Sequence, residues 1–285
     1  HQYMLFVTQK GKCVWMRVYE IPEGSRTSKG RAIQNLINIE QDDKVKAFIC
    51  TKDLKDDEYI NNHYVIMATK RGQVKKTSLE QYSRPRVNGI NAITIKEDDE
   101  LLEAKLTDGN SQVMLALKSG KAIRFEEAKT RPMGRNASGV RGIRLQHDKD
   151  EVIGMVAVND MESNILVVSS NGYGKRSRLE DYRITNRGGK GVKTISVTEK
   201  TGDLVAVKNV DDSNGLMIIN KSGIAIRMAV EDLRVMGRAT QGVKLINIKD
   251  GDSIAAVAKV IHEKDEDQHD EELESTEQNR INSEQ

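Results

Sequence analysis

The sequence contains few cysteines, prolines and aromatic residues, and each shortage excludes a class of protein. Its two cysteines and five scattered histidines form no CxxC motif and no Cys/His cluster, so neither a metal site nor a disulfide framework is expected. We expect Cys13 and Cys50 to be buried free thiols in a reducing compartment. Three prolines and 4% aromatic residues exclude a collagen-like chain and an aromatic-rich binding scaffold. No apolar run approaches the ~18 residues of a membrane span, and the first residues lack the basic and apolar regions of a signal peptide.

Charge is unevenly distributed along the chain. Residues 262–285 hold ten acids and two bases, a balance of −8, and the net charge of +2 therefore leaves +10 for residues 1–261. The acidic segment is poor in hydrophobic residues and is predicted to be a disordered tail. A basic body with an acidic tail favours a nucleic-acid-binding protein. The alternative is a tail that only aids solubility.

A pair of glycines recurs about every 50 residues. A glycine that follows a β-branched or apolar run comes first, at Gly11, Gly72, Gly120, Gly172 and Gly223. A second glycine follows 17 or 19 residues later, at Gly30, Gly89, Gly139, Gly191 and Gly242. A period of this length indicates a solenoid, a propeller or another array of one repeated unit.

The fourth copy shows what each unit contains. Strands are predicted at 165–168, 175–178, 192–197 and 204–210, and Asn171-Gly172 predicts a type I′ hairpin turn. Acid-rich segments precede the last strand of each copy, and we interpret them as turns rather than as catalytic carboxylates. Four strands per copy in radial repetition predict an all-β, propeller-like fold over residues 1–261, with five copies visible.

Basic residues occupy the same phase in copy after copy, which predicts a continuous basic surface. They lie four residues after the first glycine, four residues before the second, beside the turn and just after the second glycine. The residues predicted to bind DNA are Arg26, Lys29, Arg31, Arg71, Lys75, Lys76, Arg84, Arg86, Arg124, Arg135, Arg141, Lys175, Arg176, Arg187, Gly188, Gly189, Lys190, Gly191, Arg227, Arg238 and Lys244. The nearby glycines are expected to let backbone amides approach phosphate. Few aromatics accompany them, so binding to the duplex backbone is favoured over stacking on single strands.

Several stretches resemble the blades of the C-terminal domain of the DNA gyrase A protein, the β-pinwheel. They include Val18-Tyr-Glu-Ile-Pro-Glu23, Lys29-Gly-Arg31, Asn171-Gly-Tyr-Gly-Lys-Arg176 and Gln241-Gly-Val243. The resemblance covers residues 1 to about 261. It implies blades joined by strands exchanged between neighbours and a positive outer rim that wraps DNA, so that the enzyme introduces negative supercoils with ATP.

The family is marked by a box of seven residues, Gln-basic-Arg-Gly-Gly-basic-Gly, in its first blade. The nearest match here is Thr-Asn-Arg-Gly-Gly-Lys-Gly at 185–191, in the fourth copy, which lacks the leading Gln and basic residue. The family usually has six blades, so we expect the blade with the true box to lie upstream of His1. In an alternative interpretation, the glycines of 187–191 serve backbone shape alone.

The resemblance implies that the residues for DNA cleavage and ATP hydrolysis lie outside this chain. It implies a catalytic tyrosine elsewhere in the gyrase A protein, with ATP and Mg²⁺ used elsewhere in the holoenzyme, and no cofactor, metal or catalytic residue in this fragment.

The implied partners are double-stranded DNA, the rest of the gyrase A protein and the gyrase B protein in a heterotetramer, in the bacterial cytoplasm and on the nucleoid. No membrane partner is expected, and the fragment is expected to be monomeric. The alternatives are the accessory domain of topoisomerase IV and a propeller that binds protein. The acidic tail is expected to compete with DNA for the rim.

Overall fold

The computed structural model describes residues 2–24 and 29–261. The predicted acidic tail at 262–285 and Arg26 lie outside the described residues. The fold is built from β-strands, with one short α-helix and several single 3₁₀ turns among the described residues. The all-β prediction is confirmed.

The first two copies supply seven strands and the helix. The strands of copy 1 are β1 (Tyr3–Thr8), β2 (Lys12–Arg17) and β3 (Val45–Thr51). Copy 2 contains α1 (Asp57–Asn62), β4 (Tyr64–Thr69), β5 (Gln73–Ser78), β6 (Ile90–Asn91) and β7 (Leu101–Thr107). The α-helix begins where the side chain of Asp56 accepts a hydrogen bond from the backbone amide of Tyr59, as expected for an N-cap.

The remaining copies repeat the strand order of copy 2. Copy 3 contains β8 (Gln112–Leu117), β9 (Lys121–Glu126), β10 (Val140–Arg141) and β11 (Val152–Val158). Copy 4 contains β12 (Asn164–Ser169), β13 (Tyr173–Arg178), β14 (Val192–Lys193) and β15 (Leu204–Val210). Copy 5 contains β16 (Asn214–Asn220), β17 (Ala225–Ala229), β18 (Val243–Lys244) and β19 (Ile254–Ile261).

Each of the first four sheets borrows its outermost strand from the next copy. The strand orders are β3-β1-β2-β6, β7-β4-β5-β10, β11-β8-β9-β14, β15-β12-β13-β18 and β19-β16-β17. The short strands β6, β10, β14 and β18, here called the exchanged strands, therefore pair with the hairpin of the preceding copy. Our prediction of four strands per copy is confirmed for copies 2 to 5, but the third strand of a copy does not belong to its own sheet. Among the described residues, the fifth sheet has three strands and β17 forms its edge.

The hairpin turns share one geometry. The amide of each first glycine donates to the carbonyl three residues before it, as from Gly172 to Ser169 at 3.0 Å, and Gly172 has a φ of 83° while Asn171 has no positive φ. This is a three-residue loop that ends in a left-handed glycine. The predicted type I′ turn is wrong, because it would need a positive φ at Asn171 as well.

The acidic turns also have a structural role. The carboxylate of Asp99 accepts from the amide of Arg71 at 2.9 Å, and that of Asp150 accepts from Ser119 at 3.0 Å. The last strand of each copy (β3, β7, β11, β15 or β19) is the innermost strand of its sheet. Each such acid therefore links the turn before the innermost strand to the hairpin turn of the same sheet. Their interpretation as turn residues is confirmed.

The second glycine of copies 2 to 5 makes strand exchange possible. An added Cβ would lie 2.5 Å from the Val74 carbonyl oxygen at Gly139, and 2.5 Å from that of Ala122 at Gly191. Both glycines also have a positive φ. No other residue type fits so closely against the backbone of the preceding hairpin.

The hydrophobic core runs through the array as a series of clusters between neighbouring sheets. Tyr82 and Tyr182 are buried in it, as expected, whereas Tyr19 is exposed. Cys13 is buried, and burial raises the pKa of its thiol. The prediction that both thiols are buried is wrong for Cys50, which is exposed on the innermost strand β3.

Candidate nucleic-acid interface

Four loops at the outer edge of the array carry only positive charge. We call residues 83–89, 131–139, 183–191 and 234–242 the rim loops, because each leads into an exchanged strand, the outermost strand of its sheet. Together they contain nine arginines and lysines and no aspartate or glutamate. The loops therefore form a row of cationic segments, one for each of copies 2 to 5.

Most of these side chains face solvent. The exposed bases of the rim loops and of the segments that follow them are Arg84, Arg86, Arg131, Arg141, Arg144, Arg183, Lys190, Lys193, Arg234 and Lys244. Solvent-facing cations at a regular spacing can contact successive phosphates of a polyanion without a large desolvation cost.

One arginine in each of three rim loops also links neighbouring copies. The guanidinium of Arg135 donates to the Asn91 carbonyl at 3.2 Å, and that of Arg238 donates to the Lys193 carbonyl at 2.7 Å. Arg187 makes the same contact with the Arg141 carbonyl at 3.2 Å. All three are half-exposed, so each fixes the end of an exchanged strand while its charge stays at the surface.

Two recesses along the rim could each hold a phosphate group. One of about 220 Å³ lies between the loops of copies 2 and 3 and is lined by Arg84, Arg86 and Arg135 together with Glu80. The other, of about 190 Å³, is lined by Arg183 and Lys190 beside the backbone of β9. Three guanidinium groups around one recess match the geometry with which arginine binds phosphate oxygens.

Three of the four predicted DNA-binding residues that lie four places after a first glycine are buried inside the protein. Lys76, Arg124 and Arg176 are only 5%, 8% and 7% exposed. Arg124 donates to the carbonyls of Leu179 and Tyr182 at 2.8 Å, and burial lowers its pKa. Their burial argues against the prediction that these three residues bind DNA, because their charges hold each copy to the next. We call these three residues the inter-copy anchors.

The partners of the other two anchors confirm that role. Arg176 donates to the Leu233 carbonyl at 2.6 Å and pairs with Asp212. Lys76 lies 3.3 Å from the buried carboxylate of Glu127 and above the ring of Tyr64. Arg176 thus reaches from copy 4 into copy 5, and Lys76 reaches from copy 2 into copy 3.

Lys75 and Lys175, also predicted to bind DNA, are buried as well. The Lys75 ammonium donates to the carbonyls of Ala92 and Arg135 at 2.5 and 2.6 Å, and its side chain is 0% exposed. Burial, together with the nearby charge of Arg135, lowers its pKa to about 7. Burial and the charges of Arg238 and Lys193, partly opposed by Asp181, lower the pKa of Lys175 to about 8. These two ammonium groups hold the backbone of the rim loops through hydrogen bonds, and their burial argues against direct contact with DNA.

The bases beside the hairpin turns are largely paired with protein groups. Arg71 is exposed, but its guanidinium donates to the carbonyls of Asp148 and Asp150 at 2.8 and 3.2 Å. Lys10 lies 2.9 Å from the Glu40 carboxylate, and Lys70 pairs with Glu100. This side of the array therefore carries mixed charge, which makes it a weaker candidate for binding a polyanion than the rim.

The two ends of the array contribute further exposed bases. Lys29 and Arg31 follow the gap in the described residues and are exposed, as is Arg227 on the edge strand β17. No heavy atom lies within 4 Å of an added Cβ at Gly30. These three bases stay candidates for DNA binding.

Two of the three glycines in the box-like segment at 187–191 are needed for the conformation and packing of the backbone. Gly188 and Gly191 have φ values of 83° and 72°, and Gly188 donates to the Gly142 carbonyl at 2.6 Å. An added Cβ at Gly189 would meet only ordinary contacts, the nearest at 3.5 Å. The expected role of these glycines in approaching phosphate therefore stays open for Gly189, while Gly188 and Gly191 are required by the fold.

Three exposed arginines, Arg131, Arg183 and Arg234, were absent from the predicted set. Each lies eight residues before the second glycine of its copy, so the same test of phase would have found them. The residue directly after each of these arginines forms an isolated backbone β-bridge with an inter-copy anchor of the preceding copy, as Ile184 does with Arg124. The backbone there is fixed, and the arginine is held at the outer surface.

The sequence matches one family model in five separate segments. The model is that of the DNA gyrase C-terminal domain, β-propeller, and it matches residues 2–52, 63–108, 113–159, 163–211 and 216–261. The DNA gyrase A protein of Staphylococcus epidermidis is 44% identical over 266 residues, which cover 93% of this chain and 29% of the relative. That of Staphylococcus aureus NCTC 8325 is 42% identical over 278 residues, 97% of this chain and 31% of the relative. The chain thus spans about three tenths of the length of these relatives.

Solved structures agree on the fold. The C-terminal domain of a DNA topoisomerase IV superposes with a TM-score of 0.82 at 24% identity, over 91% of this chain and 79% of the other. A DNA gyrase A C-terminal domain superposes with a TM-score of 0.77 at 24% identity, over 92% and 83%. At this identity the two structures establish the propeller architecture and nothing more specific.

Proposed function

The chain belongs to the family of DNA gyrase C-terminal β-propeller domains, and from this membership we propose that it binds duplex DNA along its rim loops and bends it around the outer edge. The observation that carries the proposal is the row of four loops with nine bases and no acid. The proposed contacts are to phosphate, so preference for base sequence is weak.

The geometry supports bending because the rim loops lie beside the exchanged strands, at successive positions around the outer edge of the array. A duplex that contacts several of them must curve. Bending a site of 20–30 base pairs by 40–90° costs roughly 1–6 kcal/mol, so several phosphate contacts must offset it. The recess formed by Arg84, Arg86 and Arg135 and the one beside Lys190 are the strongest candidates for such contacts.

We further propose that the chain acts as part of a gyrase, an ATP-hydrolysing type II topoisomerase. In that assembly it would be non-catalytic and would present bent DNA to the remainder of the gyrase A protein and to the gyrase B protein. Its place of action would be the bacterial cytoplasm, on the nucleoid. Identities of 42–44% to gyrase A proteins favour this assignment over topoisomerase IV.

A topological experiment tests the proposal. The chain is mixed with relaxed closed circular DNA, a nicking-closing enzyme is added, the protein is removed and the linking number is read. A shift toward positive supercoils is expected if the described copies wrap DNA with a fixed hand. Binding without a shift would limit the role to bending.

Salt dependence separates DNA binding from the rival role of a protein-binding propeller. If six or more phosphates are contacted, affinity should fall about 10³-fold or more between 50 and 200 mM salt. A slope that corresponds to only one or two phosphates would contradict the proposal and favour the protein-binding role.

A further inference from the structure

A second basic region lies at the centre of the array, away from the rim. The innermost strands β3, β7, β11, β15 and β19 line an open cavity of about 650 Å³, a volume typical of small-molecule sites. Four lysines from four different copies line it, and Glu103 is the single acid among the lining residues. These channel lysines are Lys46, Lys105, Lys208 and Lys259.

Three of the channel lysines form a concentrated group of positive charge. Lys105 and Lys208 occupy equivalent positions in their strands, opposite Ile66 and Leu166. Burial lowers the pKa of Lys208, and the charges of Lys105 and Lys259 lower it further against the opposing effect of Glu103. The repulsion between these ammonium groups therefore costs free energy, which a bound anion would relieve.

The nearby polar groups offset only part of this charge. The carboxylate of Glu103 lies 3.6 Å from the Lys105 ammonium, and Lys259 donates to the Asn209 carbonyl at 3.2 Å. Lys46 lies 3.8 Å from Glu100, which also pairs with Lys70. One acid against four bases leaves the lining of the cavity with a formal charge of about +3.

We propose that this central cavity binds a compact anion with several phosphate groups, held by Lys105, Lys208 and Lys259. Each ammonium group offers three hydrogen-bond donors and suits phosphate as a point charge. Phe48, Met155 and Val257 form an apolar part of the wall. The site shares no residue with the rim loops, so its ligand and DNA can bind together.

The exposed thiol of Cys50 provides a reporter inside the cavity. Cys50 lines the cavity, while the only other cysteine, Cys13, is buried. The rate at which uncharged iodoacetamide alkylates Cys50 in the full chain is measured with and without inorganic tripolyphosphate. We expect saturating tripolyphosphate to slow alkylation at least about fivefold, because the bound anion blocks access.

Matched variants assign the effect to the channel lysines. The protection should vanish in a Lys105→Met/Lys208→Met double variant and persist in an Arg84→Gln/Arg86→Gln rim variant. DNA affinity should fall in the Arg84→Gln/Arg86→Gln variant and stay unchanged in the Lys105→Met/Lys208→Met variant. The proposal is overturned if tripolyphosphate gives no protection, or if protection survives in the double variant or depends on the rim arginines.

Thermal unfolding gives an independent measurement. Tripolyphosphate should raise the Tm of the parent chain and not that of the double variant. Without the anion, the double variant should be at least as stable as the parent, because methionine keeps the aliphatic volume and removes the repulsion. If the double variant does not fold, Lys259→Gln at an exposed position should alone weaken tripolyphosphate binding about tenfold. Unchanged binding in that variant would also overturn the proposal.

Discussion

The ammonium nitrogen of Lys75 lies 2.6 Å from the carbonyl oxygen of Arg135, so that a buried cation in copy 2 supports a rim loop of copy 3. Lys175 repeats the relationship in copy 4, where it donates to the carbonyls of Gly237 and Arg238 at 2.7 and 2.5 Å. In copies 1 and 3 the equivalent positions hold Val14 and Ile123. Two of the four rim loops are therefore held by a buried ammonium group.

Lys75 should make stability depend on pH. Its pKa is about 7 in the folded chain and near the ordinary lysine value when unfolded, so between these values the unfolded state binds more protons. Stability contributed by this residue should therefore rise as pH increases from about 7 toward 10, by at most about 1.4 kcal/mol per pH unit. Urea unfolding at pH 7, 8 and 9 measures the change.

Lys75→Met provides the control for the pH prediction. The variant lacks the titrating group, so the difference in unfolding free energy between the parent and the variant should change with pH over the same range. Lys29→Met, at an exposed position, should leave the pH dependence of the parent intact. Parallel curves for the parent and Lys75→Met would contradict the prediction.

Arg124 and Arg183 should separate the role of an inter-copy anchor from that of a DNA contact. Arg124→Met should destabilise the fold by about 3 kcal/mol, because the carbonyls of Leu179 and Tyr182 lose their donor in a buried place. It should leave the salt dependence of DNA affinity unchanged at temperatures where the variant is folded. Chemical unfolding and DNA titrations at several salt concentrations provide both measurements.

Arg183→Gln should show the opposite behaviour. The side chain is exposed, so stability should change by less than about 0.5 kcal/mol. The slope of log affinity against log salt should become shallower by about one phosphate contact. If Arg124→Met reduced the slope and Arg183→Gln did not, the assignment of anchors and rim contacts would have to be exchanged.

Gly139 and Gly134 lie in the same rim loop and should differ sharply in tolerance. Gly139→Ala places a Cβ 2.5 Å from the Val74 carbonyl oxygen at a φ of 87°, and should cost about 2 kcal/mol or more. Gly134 has a normal φ and no heavy atom within 4 Å of an added Cβ, so Gly134→Ala should change stability little. Thermal unfolding of the two variants compares them, and equal shifts in Tm would show that the exchanged strand adjusts freely.

The sequence predicted the repeat, the hairpins and the basic rim, because each depends on a local pattern. Asn171-Gly172 indicates a hairpin, yet the turn type was wrong because Gly172 alone takes the positive φ. The destination of the exchanged strands could not be predicted from strand patterns, since β14 pairs with the preceding copy and not with its neighbours in sequence. The family resemblance supplied that point.

Burial of charged side chains is the main feature that could not be predicted from the sequence. A lysine or arginine that recurs in phase is expected at a surface, but Lys76 and Arg124 recur because each copy needs a donor for the carbonyl or carboxyl groups of the next. Phase gives a common position and does not say whether that position faces solvent or a neighbouring copy. Arg131 and Arg183, at another shared phase, are the exposed ones.

Removal of the acidic tail should strengthen DNA binding. Residues 262–285 carry a balance of −8 against +10 for the rest of the chain, and they follow β19 in a chain whose rim is basic. A chain that ends at Ile261 should bind duplex DNA about tenfold more tightly at 50 mM salt, with the difference shrinking near 200 mM as screening increases. A second variant keeps the length of the tail and replaces its aspartates and glutamates by asparagine and glutamine. It should bind as tightly as the truncated chain if charge is the cause. Unchanged affinity in both variants would mean that the tail does not compete for the rim, and tighter binding only on truncation would point to its bulk.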